Sequence, residues 1–247
     1  MTDQKTALVT GANKGIGYEI AAGLGALGYK VGVGARNDAR RAAAVEKLRA
    51  GGADVFGVPL DVTDDASVTA AARLIQEQAG GLDALVNNAG ITGGPEQAPT
   101  TVDPETMLTV VQTNVIGVMR VTNAMLPMLR RATSPRIVNV SSSVGSLTRQ
   151  TTPGSFVGPI AVAYAPSKTF LNAVMVQYAK ELADTNILIN AACPGFVATD
   201  LNGFRGTGTA QQGAATPIRL ATLPDGSHGP VLRGRRHRPL VIGPAQG

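Results

Sequence analysis

Three glycines at the end of an apolar run constrain the fold of this chain most strongly. The apolar residues 7–9 predict a buried strand, and residues 10–17, TGANKGIG, follow directly. Glycine adopts positive φ readily and has no Cβ, so the main chain can approach a ligand closely. The helix that follows offers unpaired N–H groups and the positive end of its dipole to an anion. Residues 10–17 therefore predict a strand, turn and helix that cradle a pyrophosphate.

Strand and helix patterns alternate along the rest of the chain. Strands are predicted at 5–10, 30–35, 54–60, 82–87, 136–140 and 187–192. Helices are predicted at 14–28, 38–50, from the polar run 61–65 to about 78, 104–131, 163–184 and 209–222. This alternation indicates an α/β protein with a parallel, doubly wound sheet, whose ligand crevice lies at the carboxyl ends of the strands. A chain of 247 residues with ordinary composition is expected to form one such domain.

Composition argues against several classes of protein. No stretch approaches the ~20 apolar residues that span a bilayer, and residues 1–5 are polar, so we expect a soluble, cytoplasmic protein. The single cysteine, Cys193, excludes an intrachain disulfide and is interpreted as a buried small hydrophobe. His228 and His237 have no Cys or carboxylate neighbours at ligand spacing, so no metal site is expected.

The net charge of +5 does not indicate a nucleic-acid partner. Four arginines lie within residues 233–238, and the rest of the chain is nearly neutral. A short basic run near a terminus is usually a solvated tail, and this run has no interleaved aromatic residues on which bases could stack. We therefore expect a small-molecule ligand, and neither a nucleic acid nor a membrane.

Two cations stand where a dinucleotide-binding fold contacts the adenosine ribose. A site that prefers NAD would place an acidic residue at the end of the second strand, whereas this chain has Arg36. Its guanidinium can bind a 2′-phosphate through two hydrogen bonds, and Lys14 in the glycine turn adds a second positive charge. The two residues favour NADP(H) over NAD(H), although Asp38 lies close to Arg36 and both cations also suit an exposed surface.

A tyrosine and a lysine lie four residues apart at the start of the long helix 163–184. Tyr164 and Lys168 share a helix face at this spacing. A free tyrosine has a pKa of about 10, and a nearby ammonium would lower it, which predicts a usable proton donor. Pro166 requires that the helix begin close to Tyr164. Such a pair alone is common and usually structural.

With these features in this order, the chain resembles the short-chain dehydrogenase/reductase family over nearly its whole length, and its carbonyl-reductase-like branch in particular. The resemblance implies a single-domain Rossmann fold with six to seven parallel strands flanked by helices. It implies a catalytic set of Asn114, Ser142, Tyr164 and Lys168. It also implies coenzyme contacts from Gly11, Asn13, Lys14, Gly15, Ile16, Gly17, Arg36, Asp61, Val62, Asn88, Ala89, Gly90, Tyr164, Lys168, Pro194, Gly195, Val197 and Thr199.

The resemblance also implies a role for each catalytic residue. Ser142 would bind the substrate carbonyl oxygen, and Tyr164 would deliver a proton as hydride arrives from the coenzyme. Lys168 would hold the nicotinamide ribose and lower the pKa of Tyr164, and Asn114 would position a water molecule. Asn88 would serve mainly the structure of the turn.

The family pattern selects Ser142 from the run 141–143. The active serine in that pattern is second after the Asn-x pair and three residues before a glycine, here Gly145. Ser141 and Ser143 remain the fallback positions. A serine-rich strand end that satisfies backbone groups would explain the run, but not the asparagine and the glycine that flank it.

We therefore expect an NADPH-dependent reductase of a ketone or aldehyde, acting reversibly on a mostly apolar carbonyl compound. One alternative is a catalytically silent NADP-binding protein. Another is a 3-oxoacyl-carrier-protein reductase, with Arg130, Arg131 and Arg136 as a basic dock for its acidic partner. The resemblance leaves both a homo-oligomer and a monomer open.

Two segments depart from the family. The segment 147–160 is rich in Thr, Gly and Pro, and we expect it to form a loop that walls the substrate pocket. Residues 229–233 could form a seventh strand that completes a domain of residues 1–233. Residues 234–247 are expected to be a divergent tail that packs poorly.

Overall fold

Six parallel strands form one sheet within residues 4–155 and 158–224, the part of the chain that the computed structural model describes. They are β1 (Thr6–Thr10), β2 (Lys30–Ala35), β3 (Val55–Pro59), β4 (Ala84–Asn87), β5 (Arg136–Val140) and β6 (Leu188–Ala192). The sheet order is β3-β2-β1-β4-β5-β6, and every pairing is parallel. The strand order therefore reverses between β1 and β4, where an open α/β sheet leaves its ligand crevice.

Helices cover both faces of the sheet. They are α1 (Gly15–Ala26), α2 (Asp38–Ala50), α3 (Asp65–Ala79), α4 (Pro104–Val111), α5 (Gly117–Leu129), α6 (Leu147–Thr151), α7 (Tyr164–Glu181) and α8 (Ala210–Ala221). Side chains of β1 alternate between two buried clusters, since Val9 packs with α1 and α8 while Leu8 packs with α3, α5 and α7. The predicted doubly wound fold is confirmed, and predicted strand bounds agree with the observed ones to within two residues.

The predicted helix 104–131 is wrong in its middle. A π-helical turn, Gln112–Ile116, separates α4 from α5, and α5 ends at Leu129. Short π-helical segments widen a helix locally and occur often at functional sites. Asn114 lies in this turn and is fully buried, which the three- and four-residue spacing of apolar side chains along 104–131 could not indicate.

The segment after β5 is also more regular than expected. Ser146 accepts a hydrogen bond from the N–H of Arg149 and caps α6, so that 147–160 begins as a short helix and not as a loop. The predicted seventh strand at 229–233 and the tail 234–247 lie outside the described residues. Among the residues that are described, no helix is long and apolar enough to cross a membrane.

The start of α5, directly after the π-helical turn, packs closely at Gly117 against the segment that follows β3. A Cβ added to this residue would lie 2.8 Å from Val62 Cγ2 and 3.0 Å from the Val62 carbonyl oxygen. Both distances are shorter than an unstrained contact, so the start of α5 can approach the segment after β3 this closely only without a side chain.

We expect Gly117→Ala to lower the free energy of unfolding by about 1–2 kcal/mol, because overpacking against Val62 outweighs the advantage of about 1 kcal/mol that alanine has in a helix. Gly81→Ala is the matched control, since a Cβ there meets nothing within 4 Å and should leave stability unchanged or slightly raised. Urea unfolding of the two variants measures the difference, and equal stabilities would contradict this account of the packing.

Candidate active site

The glycine turn leaves the first N–H groups of α1 available to a ligand. Gly11 and Gly15 have φ of +63° and +57°, the left-handed region that favours glycine. Lys14 precedes α1 in an extended conformation, and no side chain of the described residues caps this helix. In contrast, α2, α3 and α4 are capped by the side chains of Asn37, Asp64 and Asp103. The start of α1 thus has the free donors and the positive dipole end that a phosphate requires.

The turn is tied to the end of β4 by Thr10 and Asn88. The hydroxyl oxygen of Thr10 accepts hydrogen bonds of 2.9 Å from the N–H groups of Asn88 and Ala89. The amide nitrogen of Asn88 donates to the carbonyl oxygens of Thr10, at 2.9 Å, and Gly11, at 3.2 Å. A Cβ on Gly17 would collide with this amide and with the Gly11 carbonyl. Through its amide, Asn88 thus holds the glycine turn against the end of β4.

A cleft of about 870 Å³ opens above this junction, within the range of small-molecule sites. Most of the predicted coenzyme residues line it: Gly11, Asn13, Lys14, Gly15, Ile16, Gly17, Arg36, Asp61, Val62, Asn88, Ala89, Gly90 and Thr199. The other five predicted contacts are not among its lining residues: Tyr164, Lys168, Pro194, Gly195 and Val197. Val197 is buried, and a Cβ on Gly213 would lie 2.8 Å from Val197 Cγ2. Free helix donors and a cleft of this size fit a dinucleotide.

Sequence reasoning missed several residues of the cleft, notably Arg40. This arginine lies in the first turn of α2, four residues after Arg36, and both line the same end of the cleft. Its position one helical turn beyond the predicted cation was the available signal. Leu201 and Phe204 were also missed, because their segment folds back over the cleft from after β6.

Two of the predicted phosphate-binding cations, Arg36 and Lys14, lie close to carboxylates. Arg36 is 66% exposed, and its guanidinium lies 3.8 Å from a carboxylate oxygen of Asp61. Partial burial disfavours the ionised form of Asp61, but hydrogen bonds from the hydroxyl and N–H of Thr63 and the charge of Arg36 outweigh it and lower its pKa. Lys14, predicted to face a phosphate, forms an ion pair with Asp200.

Ser142, Tyr164 and Lys168 meet where the end of β5 packs against α7. Tyr164 is the first residue of α7, so Pro166 lies in the first turn, as the sequence required. Ser142 lies close enough to Tyr164 for its hydroxyl to lower the pKa of the phenol. Gly145 makes this approach possible, since a Cβ there would lie 2.8 Å from the carbonyl carbon of Lys168.

Burial sets the proton affinities of the pair. It raises the pKa of Tyr164 to about 12, against a lowering by the hydroxyl of Ser142 and with a further increase from the nearby thiol of Cys193. Burial lowers the pKa of Lys168 to about 8. The net pKa of Tyr164 is therefore raised and not lowered as expected, because loss of water destabilises both charged forms.

The ammonium of Lys168 lies between the end of β5 and the ring of Tyr164. Lys168 Nζ donates to the Val140 carbonyl oxygen at 2.8 Å and lies 5.6 Å from the ring centroid of Tyr164.

Cys193 was expected to be a buried small hydrophobe, but it is partly exposed and close enough to Tyr164 to affect its pKa. A strand-end position next to Pro194 does not reveal in sequence which element the thiol will face.

Asn114 is anchored beside this cluster by backbone groups. Its side-chain oxygen accepts a hydrogen bond from the N–H of Ile91, and its amide nitrogen donates to the Ile91 carbonyl, both at 2.9 Å. The amide also donates to Ser167 Oγ at 3.0 Å. A Cβ on Gly90, which lines the cleft, would lie 3.2 Å from Asn114 Oδ1 and 3.8 Å from Lys168 Nζ. Asn114 and Lys168 thus lie next to Gly90, and Lys168 connects this wall of the cleft with Tyr164.

Comparison with known proteins identifies the family of this chain. The family model for short chain dehydrogenases matches residues 5–209. The chain belongs to the short-chain dehydrogenase family. Short-chain dehydrogenase/reductase 1 of Saponaria officinalis is 36% identical, over 92% of this chain and 93% of that protein. Carbonyl reductase [NADPH] 1 of Bos taurus is 34% identical, over 91% and 93%. The structure of salutaridine reductase from Papaver somniferum superposes with a TM-score of 0.80 at 30% identity, covering 92% of this chain and 98% of that one.

Membership of the short-chain dehydrogenase family makes the chain an oxidoreductase that uses a nicotinamide coenzyme. Carbonyl reductases and ketoacyl reductases are both among its relatives. The basic dock considered for a carrier protein does not form as expected, since Arg136 is 2% exposed and donates to the carbonyl oxygens of Pro135 and Leu223. Arg136 also begins β5, at the edge of the sheet opposite the carboxyl ends of the strands.

The two neighbouring serines 141 and 142 differ in burial and in their partners. Ser141 is 2% exposed, and its hydroxyl donates to Asn172 Oδ1 at 2.7 Å, whereas Ser142 is partly exposed and lies close to Tyr164. This contrast sets Ser142 apart from Ser141, one of its two fallback positions.

We expect Ser141→Ala to lower the free energy of unfolding by about 1–3 kcal/mol, because it leaves a buried amide oxygen unsatisfied, and to change kcat little. Ser142→Ala should do the reverse, with stability nearly unchanged and kcat reduced by about 10²- to 10³-fold. Thermal unfolding and steady-state kinetics on both variants give the comparison. A larger kcat loss in Ser141→Ala would assign the active serine to the other position.

Proposed function

We propose that this protein is an NADPH-dependent reductase that transfers hydride to a ketone or aldehyde carbonyl, with Tyr164 as the proton donor. One observation carries the proposal: the ammonium of buried Lys168 lies 5.6 Å from the ring centroid of Tyr164 and next to Gly90, a residue in the wall of the cleft above the glycine turn. A protein that only bound the coenzyme could use the ammonium of Lys168 but would not require a phenol beside it.

The cations at the adenosine end support NADP(H) over NAD(H) as the coenzyme. Arg36 stands at the position where a site for NAD would carry an acidic residue, and Arg40 lines the same part of the cleft. Guanidinium groups bind a phosphate dianion through paired hydrogen bonds, and Lys14 adds a third cation at this end. The similarity to a relative named for NADPH supports the same preference.

The chain's own residues would bind the two ends of the coenzyme. The N–H groups at the start of α1 would hold the pyrophosphate, and Lys168 would donate to the nicotinamide ribose. When bound, the coenzyme supplies the hydride. Thr199, which lines the cleft opposite Gly15, would contact the carboxamide side.

Ser142 and Tyr164 would bind the substrate oxygen between them. The hydroxyl of Ser142 is a hydrogen-bond donor for the negative charge that develops on this oxygen. Tyr164 keeps its proton at neutral pH because its pKa is about 12, so it is available as the acid. The charge of Lys168 would stabilise the phenolate that remains after transfer, and Asn114 would position the water that returns the proton.

The substrate is proposed to be mostly apolar. Leu201 is 41% exposed and Phe204 is 65% exposed, and both line the cleft. Such side chains gain free energy by covering an apolar ligand. A carrier-linked acyl substrate is less well supported, because Arg136, one of the three arginines considered for its dock, is buried.

The test of this function is oxidation of NADPH, followed by its absorbance or fluorescence, over a panel of apolar ketones, aldehydes and quinones. We expect turnover with NADPH to exceed turnover with NADH. Tyr164→Phe should reduce kcat by about 10²- to 10⁴-fold, because it removes the general acid, while NADPH still binds.

Tyr178→Phe is the matched control for this variant. Tyr178 lies on the same helix, and its hydroxyl donates to Asn123 Oδ1 at 2.7 Å, away from the cleft residues. It should retain wild-type kcat. NADPH binding with no oxidation of coenzyme by the wild type on any carbonyl compound would instead indicate a silent binding protein.

We expect kcat/KM to decrease at alkaline pH because Lys168 loses its charge there. Because burial lowers its pKa to about 8, its positive charge is present at neutral pH and is lost as pH rises through that value. Tyr164 stays protonated over this range, since its pKa is raised. We expect kcat/KM for NADPH, which reports ionisations of the free enzyme, to fall above about pH 8. Lys168→Arg keeps its charge, so its profile should lack this fall, whatever its absolute rate. A wild-type profile that stays flat to pH 10 would contradict the assignment.

A further inference from the structure

An ion pair joins two segments that line the cleft beside the glycine turn. Lys14, in the turn, and Asp200, after β6, form a salt bridge between residues that are far apart in sequence and lie on opposite walls of the cleft. Their side chains are 51% and 47% exposed, so water and dissolved ions reach both. The free protein therefore holds one of its phosphate-binding cations against a carboxylate.

The carboxylate belongs to residues 197–208, a segment with several internal hydrogen bonds, which we name the flap. The N–H of Ala198 donates to the Gly208 carbonyl at 2.8 Å, and the amide of Asn202 donates to the Val197 carbonyl at 2.8 Å. The N–H of Thr199 donates to Asn202 Oδ1 at 3.3 Å. These hydrogen bonds join residues on both sides of Asp200 within the flap.

The flap lies beside the turn, next to the ion pair. A Cβ added to Gly15 would lie 3.5 Å from Thr199 Cγ2, so the space between them is about the size of one methyl group. Lys14 also lines a neighbouring groove together with Arg40, Tyr18 and Lys47. The lysine thus stands between the flap on one side and the cations of α2 on the other.

We propose that Asp200 competes with the coenzyme's 2′-phosphate for Lys14 and thereby lowers both the affinity for NADP(H) and the preference for it over NAD(H). This inference rests on the proposed function, in which Lys14, Arg36 and Arg40 face that phosphate. Binding exchanges a carboxylate partner of Lys14 for a phosphate dianion. The gain from the phosphate is therefore reduced by the interaction that is given up.

Removal of the Asp200 carboxylate should strengthen the binding of a nucleotide that carries a 2′-phosphate. An exposed ion pair contributes about 0.2–1 kcal/mol, which corresponds to a gain in affinity of up to about fivefold. We expect Asp200→Asn to bind adenosine 2′,5′-bisphosphate about two- to fivefold more tightly than the wild type at low salt, by isothermal titration calorimetry. Binding of adenosine 5′-phosphate, which lacks the 2′-phosphate, should not change.

Two further variants isolate the mechanism. Asp184→Asn removes an exposed carboxylate between α7 and β6, at the opposite edge of the sheet, and controls for the change in net charge. Lys14→Met removes the contested cation, so that adding Asp200→Asn to it should give no gain in affinity. Thermal unfolding of each variant shows that it is folded before its titration is compared.

The outcomes separate the two proposals. If the wild type binds both nucleotides equally, the proposed preference for NADP(H) fails. If the wild type prefers the bisphosphate but Asp200→Asn gains no more than Asp184→Asn, the competition fails while the preference stands. An equal gain for adenosine 5′-phosphate, or a full gain in the Lys14→Met background, would also overturn the competition.

Discussion

The hydrogen bonds between Thr10 and Asn88 join the two halves of the sheet where the strand order reverses, and the cleft depends on them. They require Gly17 to lack a side chain, because the amide of Asn88 occupies the space that a Cβ would fill. With β1 and β4 held side by side, the free N–H groups of α1 face the crevice. One small polar junction therefore sets where a phosphate can bind.

A second close contact brings the reactive groups to this crevice. Gly145 lets the turn after β5 lie against the backbone of α7, which brings Ser142 close to Tyr164 and buries Lys168. The same burial raises the pKa of Tyr164 and lowers the pKa of Lys168. Proximity of a cation is thus not sufficient to acidify a tyrosine when both groups lose water.

The electrostatics of the cleft combine attraction with competition. Arg36 and Lys14 each face a carboxylate, Asp61 and Asp200 respectively, in the protein alone. A polyanionic ligand would therefore meet cations that already have partners, and part of its binding free energy would be used to displace them. Selectivity for a phosphate depends on the acidic residues near a basic site as much as on the basic ones.

The sequence by itself determined the alternation of strands and helices, the glycine turn and the spacing of Tyr164 from Lys168, because these are local patterns with a period of their own. It also indicated the family and a site at the carboxyl ends of the strands. Only the tertiary structure decided the π-helical turn that buries Asn114, the contribution of Arg40 to the cleft, the pairing of Lys14 with Asp200 and the burial of Arg136. Each of these depends on which distant segment packs against the residue, and burial and partner charge, which set proton affinity and ion pairing, exist only once that packing has formed.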